Sequence, residues 1–436
     1  MTDHAAVLDE LRARGLCYQI TDEPALREHL RQPVTLYNGF DPTADSLTIG
    51  NLVPIMMLRI FARHGHHPIV LMGGATGRIG DPSGKDAERS LLSDDKIGEH
   101  LRGQRPIFAQ LLGQDVTIVD NDDWFRSMSA YGFLRDLGKH FSVNQMMARD
   151  SVRNRLEREG QGLSYTEFSY MLLQAYDFLH LYRERGVTLQ TAGADQWGNI
   201  VSGVDLIRRV EGATPAGGPR AFGLTAPLLT RADGGKFGKT ETGAVWLSHR
   251  RPSGAAGTSP YGYYQFWLNT ADADVRRYLS IFTDLAVPEI DALCRRHEAA
   301  PHEREAQRTL AREATTLLHG AEETRGAEAA AQALFAGDVR ALDRDTLEEV
   351  LALAPATEHP RTSLEGDGMP LVDVLAQTTL AKSKTEARKH IESGAISLNG
   401  GRVDRVEARL RVDDLLHGTI ALFRRGKKSW HVTRWT

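Results

Sequence analysis

Over roughly the first 230 residues, short apolar runs alternate with longer amphipathic stretches. The runs VTLYNGF (34–40), PIVLMGG (68–74), VTIVD (116–120) and VTLQTAG (187–193) are rich in β-branched residues and predict strands. Apolar residues at helical spacing fill the intervals. Such alternation predicts an α/β domain whose parallel sheet presents ligands to the carboxyl ends of its strands. RPSGAAGTSP (251–260) reads as a Gly/Pro/Ser-rich connecting loop. From Asp274 to about Leu353 the chain is rich in Ala, Glu, Arg and Leu and predicts a helical domain. PATEHPRTSLEGDGMP (355–370) reads as a second linker, after which a small terminal domain begins. There Ser383 and Glu386 form a capping box, Arg388, Lys389 and His390 lie along the ensuing helix, and Gly394 can end it. ISLNGGRVD then predicts a tight turn, and ALFRRGKKSWHV a strand pair around RRGKK.

Composition bounds this picture. The chain has 436 residues, 41% hydrophobic and 25% charged, enough for two or three globular domains. The start, MTDHAAVLDELRARG, lacks the basic opening and apolar core of a signal peptide, and no run nears the roughly 18 apolar residues of a membrane span. Cytoplasm, without a membrane, is the expectation. Cys17 and Cys294 have no CxxC partner, so neither a disulfide framework nor a zinc knuckle is expected. His64, His66 and His67 lack a Cys or acidic companion at ligand spacing and read as a turn, not a metal site. The net charge of -4 conceals an asymmetry: from Lys382 onward there are 13 Lys or Arg against 6 Asp or Glu, a balance of +7 that leaves -11 for the rest. A basic tail on an acidic body suggests a polyanion partner, with Lys382, Lys384, Arg388 and Lys389 on a helix and Arg424, Arg425, Lys427 and Lys428 on a hairpin.

Two glycine loops come close to nucleotide signatures. GGKFGKT (234–240) has Asp233 where a Walker A loop needs its first glycine, and GGATGRIGDPSGK (73–85) has the wrong spacing for G-x-G-x-x-G. Both still set flexible backbone N–H groups beside lysines, which suits polyphosphate, or both are surface turns. In SYTEFSYMLLQAYDFLHLY, another capping box (Ser164 and Glu167) opens a helix on which Tyr170, Gln174 and Asp177 share a face. That face is either solvated or built for a small zwitterion. In GADQWGN (193–199), Asp195 and Gln196 follow a strand; the aspartate is either an N-cap or a ligand for ribose hydroxyls.

Taken in order, GFDPTADSL, GGATGRIGDPSGK, YTEFSYMLLQAYDF, GADQWGN, KFGKT and SPYGYYQFW resemble the bacterial tyrosyl-tRNA synthetases, class I aminoacyl-tRNA synthetases, over nearly the whole chain. The resemblance implies a Rossmann-like catalytic domain (1–250), a helical anticodon-side domain (251–354), a linker (355–368) and a small α+β S4-like RNA-binding domain (369–436). It implies that L-tyrosine attacks ATP, accompanied by Mg²⁺, to give tyrosyl-adenylate and pyrophosphate, and that the 3′ end of tRNA(Tyr) then accepts the tyrosyl group. It also implies a homodimer. The segment Trp124–Phe141 could serve a subunit interface, although core is the preferred reading.

By the same resemblance, Tyr37 and Asp177 hold the substrate phenol, and Asp81, Tyr170 and Gln174 hold its ammonium group. Asp41 and Gln196 line the amino-acid site, Asp195 meets the ribose, and Gly193 allows close approach. Lys236 and Lys239 stand in the mobile lysine loop that meets the β- and γ-phosphates, assisted by Lys85 and Arg89. In GFDPTADSLTIGNL, Thr43 matches a phosphate contact and Gly50 the nucleotide segment. Thr48 and Asn51 occupy the two positions where the class carries histidines. Because the remaining site residues all fit, an active enzyme is expected, rather than a non-catalytic RNA-binding relative or a synthetase for tryptophan.

Overall fold

In the computed structural model, six strands form one sheet in the order β1-β6-β5-β2-β3-β4. They are β1 (Gln19–Ile20), β2 (Thr35–Phe40), β3 (His67–Met72), β4 (Thr117–Asp120), β5 (Val187–Gly193) and β6 (Phe222–Ala226). The structure describes residues 4–81, 92–148, 152–153, 164–212, 220–235, 237–240, 243–336, 339–342, 344–351, 354–426 and 429–436. β2 to β6 run parallel, and only β1 is antiparallel to its neighbour. From β2 the chain steps outward through β3 and β4, then returns on the other side of β2 to make β5. That reversal opens a crevice at the carboxyl ends of β2 and β5, the place where such sheets bind ligands.

Four of the strands were legible as apolar runs. β6 was not, because FGLTA is buried throughout yet contains Gly223 and Ala226, poor strand formers in isolation. Packing explains Gly223: a Cβ there would lie 2.1 Å from Ile200 Cγ2, on the Trp197–Glu211 helix that covers the sheet. The Leu52–Arg63 helix buries eight side chains, among them Met56, Ile60 and Phe61. Each fully buried large apolar side chain contributes roughly 1.5–3 kcal/mol. Buried Arg14 closes the end of the Asp272–Phe282 helix, donating to the carbonyls of Ser280 (2.7 Å), Thr283 (3.0 Å) and Leu285 (2.7 Å).

The chain divides into two compact units, Met1–Thr258 with Leu268–Leu318, and Ser259–Trp267 with His319–Thr436. The helices expected after residue 274 therefore fall in both. Asp272–Phe282, Val287–Ala299 and most of Glu305–His319 belong with the sheet, and Ala321–Ala336 and Arg344–Leu351 belong with the tail.

The second unit holds a five-stranded sheet in the order Gly401–Arg402, Ile396–Leu398, Ile420–Arg425, Ser429–Trp435 and Ala356–His359. Its core includes Trp435, Phe423, Ile391 and Ile396. The stretch read as a linker is thus partly a strand: Ala356–His359 pairs in parallel with Val432–Trp435. Its turn-rich flanks hid a four-residue segment that finds its partner only at the chain terminus. Half of the capping box at Ser383 forms: the Glu386 N–H donates to Ser383 Oγ at 3.2 Å, while the Glu386 carboxylate accepts from the Lys382 N–H at 2.7 Å.

Candidate active site

Tyr37, on β2, lies at the buried end of the crevice with 1% of its surface exposed, its ring 5.4 Å from that of Phe178. Its hydroxyl is shut from solvent and has no hydrogen-bond partner among the described residues. Leaving such a group orphaned costs about 1–3 kcal/mol. Burial, and then the charge of Asp177, push its pKa well above the ordinary phenol value.

Asp177 projects from the Tyr165–Arg185 helix, which Ser164 caps by accepting the Glu167 N–H at 3.2 Å. Only 2% of Asp177 is exposed. Asn121 Nδ2 donates to one carboxylate oxygen at 3.1 Å and Trp124 Nε1 to the other at 2.9 Å. Burial drives its pKa well above the carboxylate range, while these two donors favour the charged form. One helical turn away, Gln174 Oε1 is also buried and unpartnered among the described residues. The face shared by Tyr170, Gln174 and Asp177 is therefore turned inward, and the solvated alternative is set aside.

Nearer the crevice mouth a second polar group assembles. Tyr170 Oη donates to Asp41 Oδ2 at 3.0 Å, and Thr76 Oγ1 to Asp41 Oδ1 at 2.7 Å. Gln196 Nε2 donates to Asp81 Oδ2 at 2.6 Å, and Gln196 Oε1 accepts from Asn199 Nδ2 at 3.0 Å. Burial raises the pKa of Tyr170 well above its ordinary value, and the charges of Asp41 and Asp81 raise it further. Two carboxylates beside a buried phenol give this region a negative potential suited to an ammonium group. Gly73 leaves it room, since a Cβ there would lie 2.2 Å from Asp41 Oδ1 and 2.4 Å from Thr76 Oγ1. At Gly193 a Cβ would lie 2.6 Å from Oδ1 of exposed Asp195.

The segment 41–51 forms the adjoining wall. Thr43 and Gly50 are exposed. The Thr48 N–H and its Oγ1 both donate to Asn51 Oδ1, each at 3.0 Å. Asn51 Oδ1 is thus occupied, and its amide N–H₂ group is the side left for a ligand. A short ladder joins this segment to the stretch after the lysine loop: the Ile49 N–H donates to the Val245 carbonyl (2.9 Å) and the Leu247 N–H to the Leu47 carbonyl (2.8 Å), while the Val245 N–H ties that stretch back to the lysine loop at the Gly238 carbonyl (3.1 Å). Gly238 has φ +78°, and a Cβ there would lie 2.5 Å from Ile49 Cγ2. Between the two lysines, Phe237 stacks on Phe282 with ring centroids 5.3 Å apart. Lys85, Arg89 and Lys236 lie outside the described residues, as does the side chain of Lys239, whose backbone begins a strand paired with Gly243–Ala244.

Residues 29–336 match the family described as tRNA synthetases class I (W and Y), and 353–433 match the tyrosine-tRNA ligase SYY-like C-terminal domain. The chain is 46% identical over 434 residues to a tyrosine-tRNA ligase of Roseiflexus castenholzii, covering 98% of this chain and 99% of that one. It is 48% identical over 435 residues to the tyrosine-tRNA ligase of Geobacillus kaustophilus, again covering 98% and 99%. The chain belongs to the tyrosyl-tRNA synthetase family. A truncated mitochondrial tyrosyl-tRNA synthetase of Aspergillus nidulans superposes with a TM-score of 0.67 at 31% identity, covering 76% of this chain and 94% of that one.

Within this tyrosyl-tRNA synthetase fold, several polar residues at the site escaped the sequence reading. Asn121 and Trp124 hold Asp177, and Thr76 holds Asp41. Gln190, opposite Tyr37 in the β2–β5 register, has a buried Oε1 without a partner among the described residues. The usable signal was positional: Asn121 and Trp124 directly follow a strand, at the carboxyl edge where the sheet gathers ligands.

The histidine turn has a role in folding. His64 Nε2 meets Glu10 at 2.7 Å, while buried His66 accepts the Val34 N–H at 3.2 Å and meets the His4 carbonyl at 3.1 Å. Burial lowers the His66 pKa to about 4.

In the second unit Lys382, Lys384, Arg388 and Lys389 are exposed, and Lys384 pairs with Asp373 at 2.9 Å. Arg424 lies over Trp430, 5.0 Å from the ring centroid, and Arg425 donates to the Leu380 carbonyl at 2.7 Å. Lys427 and Lys428 lie outside the described residues.

Proposed function

We propose that this tyrosine-tRNA ligase holds the substrate phenol between Tyr37 and Asp177 and its ammonium group at Asp81, Tyr170 and Gln174, with Asp41 and Gln196 completing the wall. The observation that carries this reading is the buried hydroxyl of Tyr37, without a partner among the described residues, beside a carboxylate already oriented by two donors. Such a pair is incomplete until a hydroxyl enters, and phenylalanine would bury it unsatisfied. ATP lies along the segment carrying Thr43, Thr48, Gly50 and Asn51, its ribose at Gly193 and Asp195. Lys85, Arg89, Lys236 and Lys239 meet its phosphates, and Mg²⁺ enters with ATP as part of the substrate. The tyrosine carboxylate attacks the α-phosphorus, pyrophosphate leaves, and the tRNA 3′-terminal hydroxyl then takes the tyrosyl group and releases AMP. Orientation and charge stabilisation carry both steps, and no protein nucleophile is needed.

The test is tyrosine-dependent ATP–pyrophosphate exchange without tRNA, run beside phenylalanine and tryptophan. Exchange with tyrosine alone is expected. Folded protein that exchanges with none of the three, or prefers tryptophan, would overturn the assignment.

Thr48 acts through Asn51 in this reading. Thr48→Val should slow adenylate formation roughly 2- to 10-fold, the worth of one net hydrogen bond, and Thr48→Ser should restore it. Equal rates for Thr48→Val and the parent would remove the hydroxyl from the account.

The basic helix and hairpin of the second unit grip the tRNA backbone. Reversing Arg388 and Lys389 to glutamate should weaken tRNA binding and flatten its salt dependence while exchange continues. An unchanged salt slope would place the contacts elsewhere.

The protein works as a homodimer in this proposal. Within the segment read mainly as core, Leu137 is buried, but Tyr131 is 85% exposed and Leu134 56% exposed, with exposed Val143 and Met147 nearby in sequence. Several exposed large apolar side chains within one short stretch of chain support an association surface there. Sedimentation at the mass of one chain would refute it.

A further inference from the structure

Asp45 sits between Thr43 and Thr48 with 2% of its side chain exposed, and its partner is Arg251, 15% exposed, in the stretch read as a connecting loop. Arg251 Nε donates to Asp45 Oδ1 at 2.8 Å and a second guanidinium nitrogen to the same oxygen; the Ser253 N–H donates to Oδ2 at 2.9 Å. The guanidinium lies 3.9 Å from the centroid of the Trp246 ring, and Trp246 pairs across an antiparallel bridge with Thr48. The loop is itself folded. Arg250 pairs with Ala256, the Thr258 N–H donates to the Ser248 carbonyl at 3.1 Å, and the Trp246 N–H donates to Thr258 Oγ1 at 2.8 Å. At Gly257 a Cβ would lie 2.0 Å from the Ser248 carbonyl oxygen, so no larger residue fits.

Residues 42–45 are also gripped by the Asp94–Leu112 helix. His100 Nδ1 donates to the Pro42 carbonyl at 2.7 Å and Gln104 Nε2 to the Ala44 carbonyl at 2.9 Å, while Gly103 leaves room for the Asp45 carbonyl, 2.0 Å from where a Cβ would stand. A buried ion pair is weak evidence for stability, because apolar residues of similar volume often serve as well. What a forked, stacked and hydrogen-bonded pair adds is a fixed geometry. Burial alone would raise the pKa of Asp45, but the Ser253 and Arg251 contacts outweigh it and hold it at about 2. The Asp45 carboxyl therefore stays ionised throughout the ordinary assay range.

We propose that Asp45 and Arg251 are a positioning pair: through them the 248–258 loop fixes the nucleotide wall, residues 43–51, in register with the strand that follows the lysine loop. This rests on the reading of that wall as the ATP site. Neither residue touches substrate, and each acts through Thr43, Thr48 and Asn51. Displacement of reacting groups by about 1 Å is enough to cost on the order of 100-fold in rate. The pair should therefore matter for ATP turnover and not for tyrosine binding, which uses the far end of the crevice.

The experiment uses the full chain with Arg251→Met, Asp45→Asn, the double variant, and Arg251→Lys, which keeps the charge but loses the fork. Pyrophosphate exchange gives kcat and KM for ATP, and calorimetry gives tyrosine affinity without ATP. Each single variant is expected to lower kcat/KM for ATP on the order of 10- to 100-fold with tyrosine affinity retained. The double variant should be no worse than the singles, since no lone charge is left buried. Arg251→Lys should fall between and remain informative if Arg251→Met fails to fold. Unchanged ATP kinetics in folded variants, or parallel losses of tyrosine affinity and ATP turnover, would overturn the positioning role alone. A parent protein without tyrosine-dependent exchange would overturn the reading of the wall, and this proposal with it.

Discussion

Tyr37→Phe is expected to raise the melting temperature of the free protein while weakening its hold on tyrosine. The two effects share a cause. Without substrate, the Tyr37 hydroxyl is buried and has no partner among the described residues, so removing it relieves an unsatisfied polar group. With substrate, the same hydroxyl is what the phenol bonds to. Asp177→Ala should be more damaging. It removes a charge-assisted contact to the phenol, roughly 10- to 100-fold in kcat/KM for tyrosine, and also strands the donors of Asn121 and Trp124 in a dry pocket. KM for ATP should stay near that of the parent. Differential scanning calorimetry with and without tyrosine, paired with exchange kinetics for tyrosine and phenylalanine, checks both. If Tyr37→Phe lowers stability and affinity together, the hydroxyl already has a partner in the free protein and the pocket account fails.

Lys236→Ala and Lys239→Ala should each lower the rate of adenylate formation by about 100- to 1,000-fold, the range seen when a preorganised donor to developing charge is removed. The loss is expected in kcat, because negative charge accumulates on pyrophosphate only as it departs. Tyrosine affinity should not change. Single-turnover measurement of tyrosyl-adenylate separates the alternatives: a rise in KM for ATP at constant kcat would mean that the lysines bind ground-state ATP equally well and contribute nothing specific to the transition state.

How far the site was legible depended on what each residue needed from the rest of the chain. The face carrying Tyr170, Gln174 and Asp177 was visible because helical spacing is local. Whether that face looked inward was not, since spacing alone does not distinguish a wet face from a lined pocket. Asn121 lies 56 positions before Asp177, so nothing local joins them, and only the sheet brings the end of β4 beside the helix. β2, β3, β4 and β5 announced themselves through β-branched residues, whereas β6 gave way to the demands of a helix packed over Gly223. Arg251 was hidden for a different reason. Glycine, proline and serine mark a segment free of regular structure, and they carry no information about whether it is tied down. Thr48 and Asn51 were each weighed as lone replacements for a histidine, but the structure joins them through Oδ1 into one unit.

The folded loop offers a handle as well as a brace. Its base is fixed by Asp45 and Thr258, but at its tip Gly254 has φ +76° and open space beyond it, and Ala255 is exposed. A cysteine at Ala255 would carry a fluorescent dye a few residues from a contact that feels the nucleotide wall, and Cys17 and Cys294, the only native thiols, can be replaced beforehand. Such a labelled enzyme would report nucleotide engagement in real time without any reagent in the crevice itself.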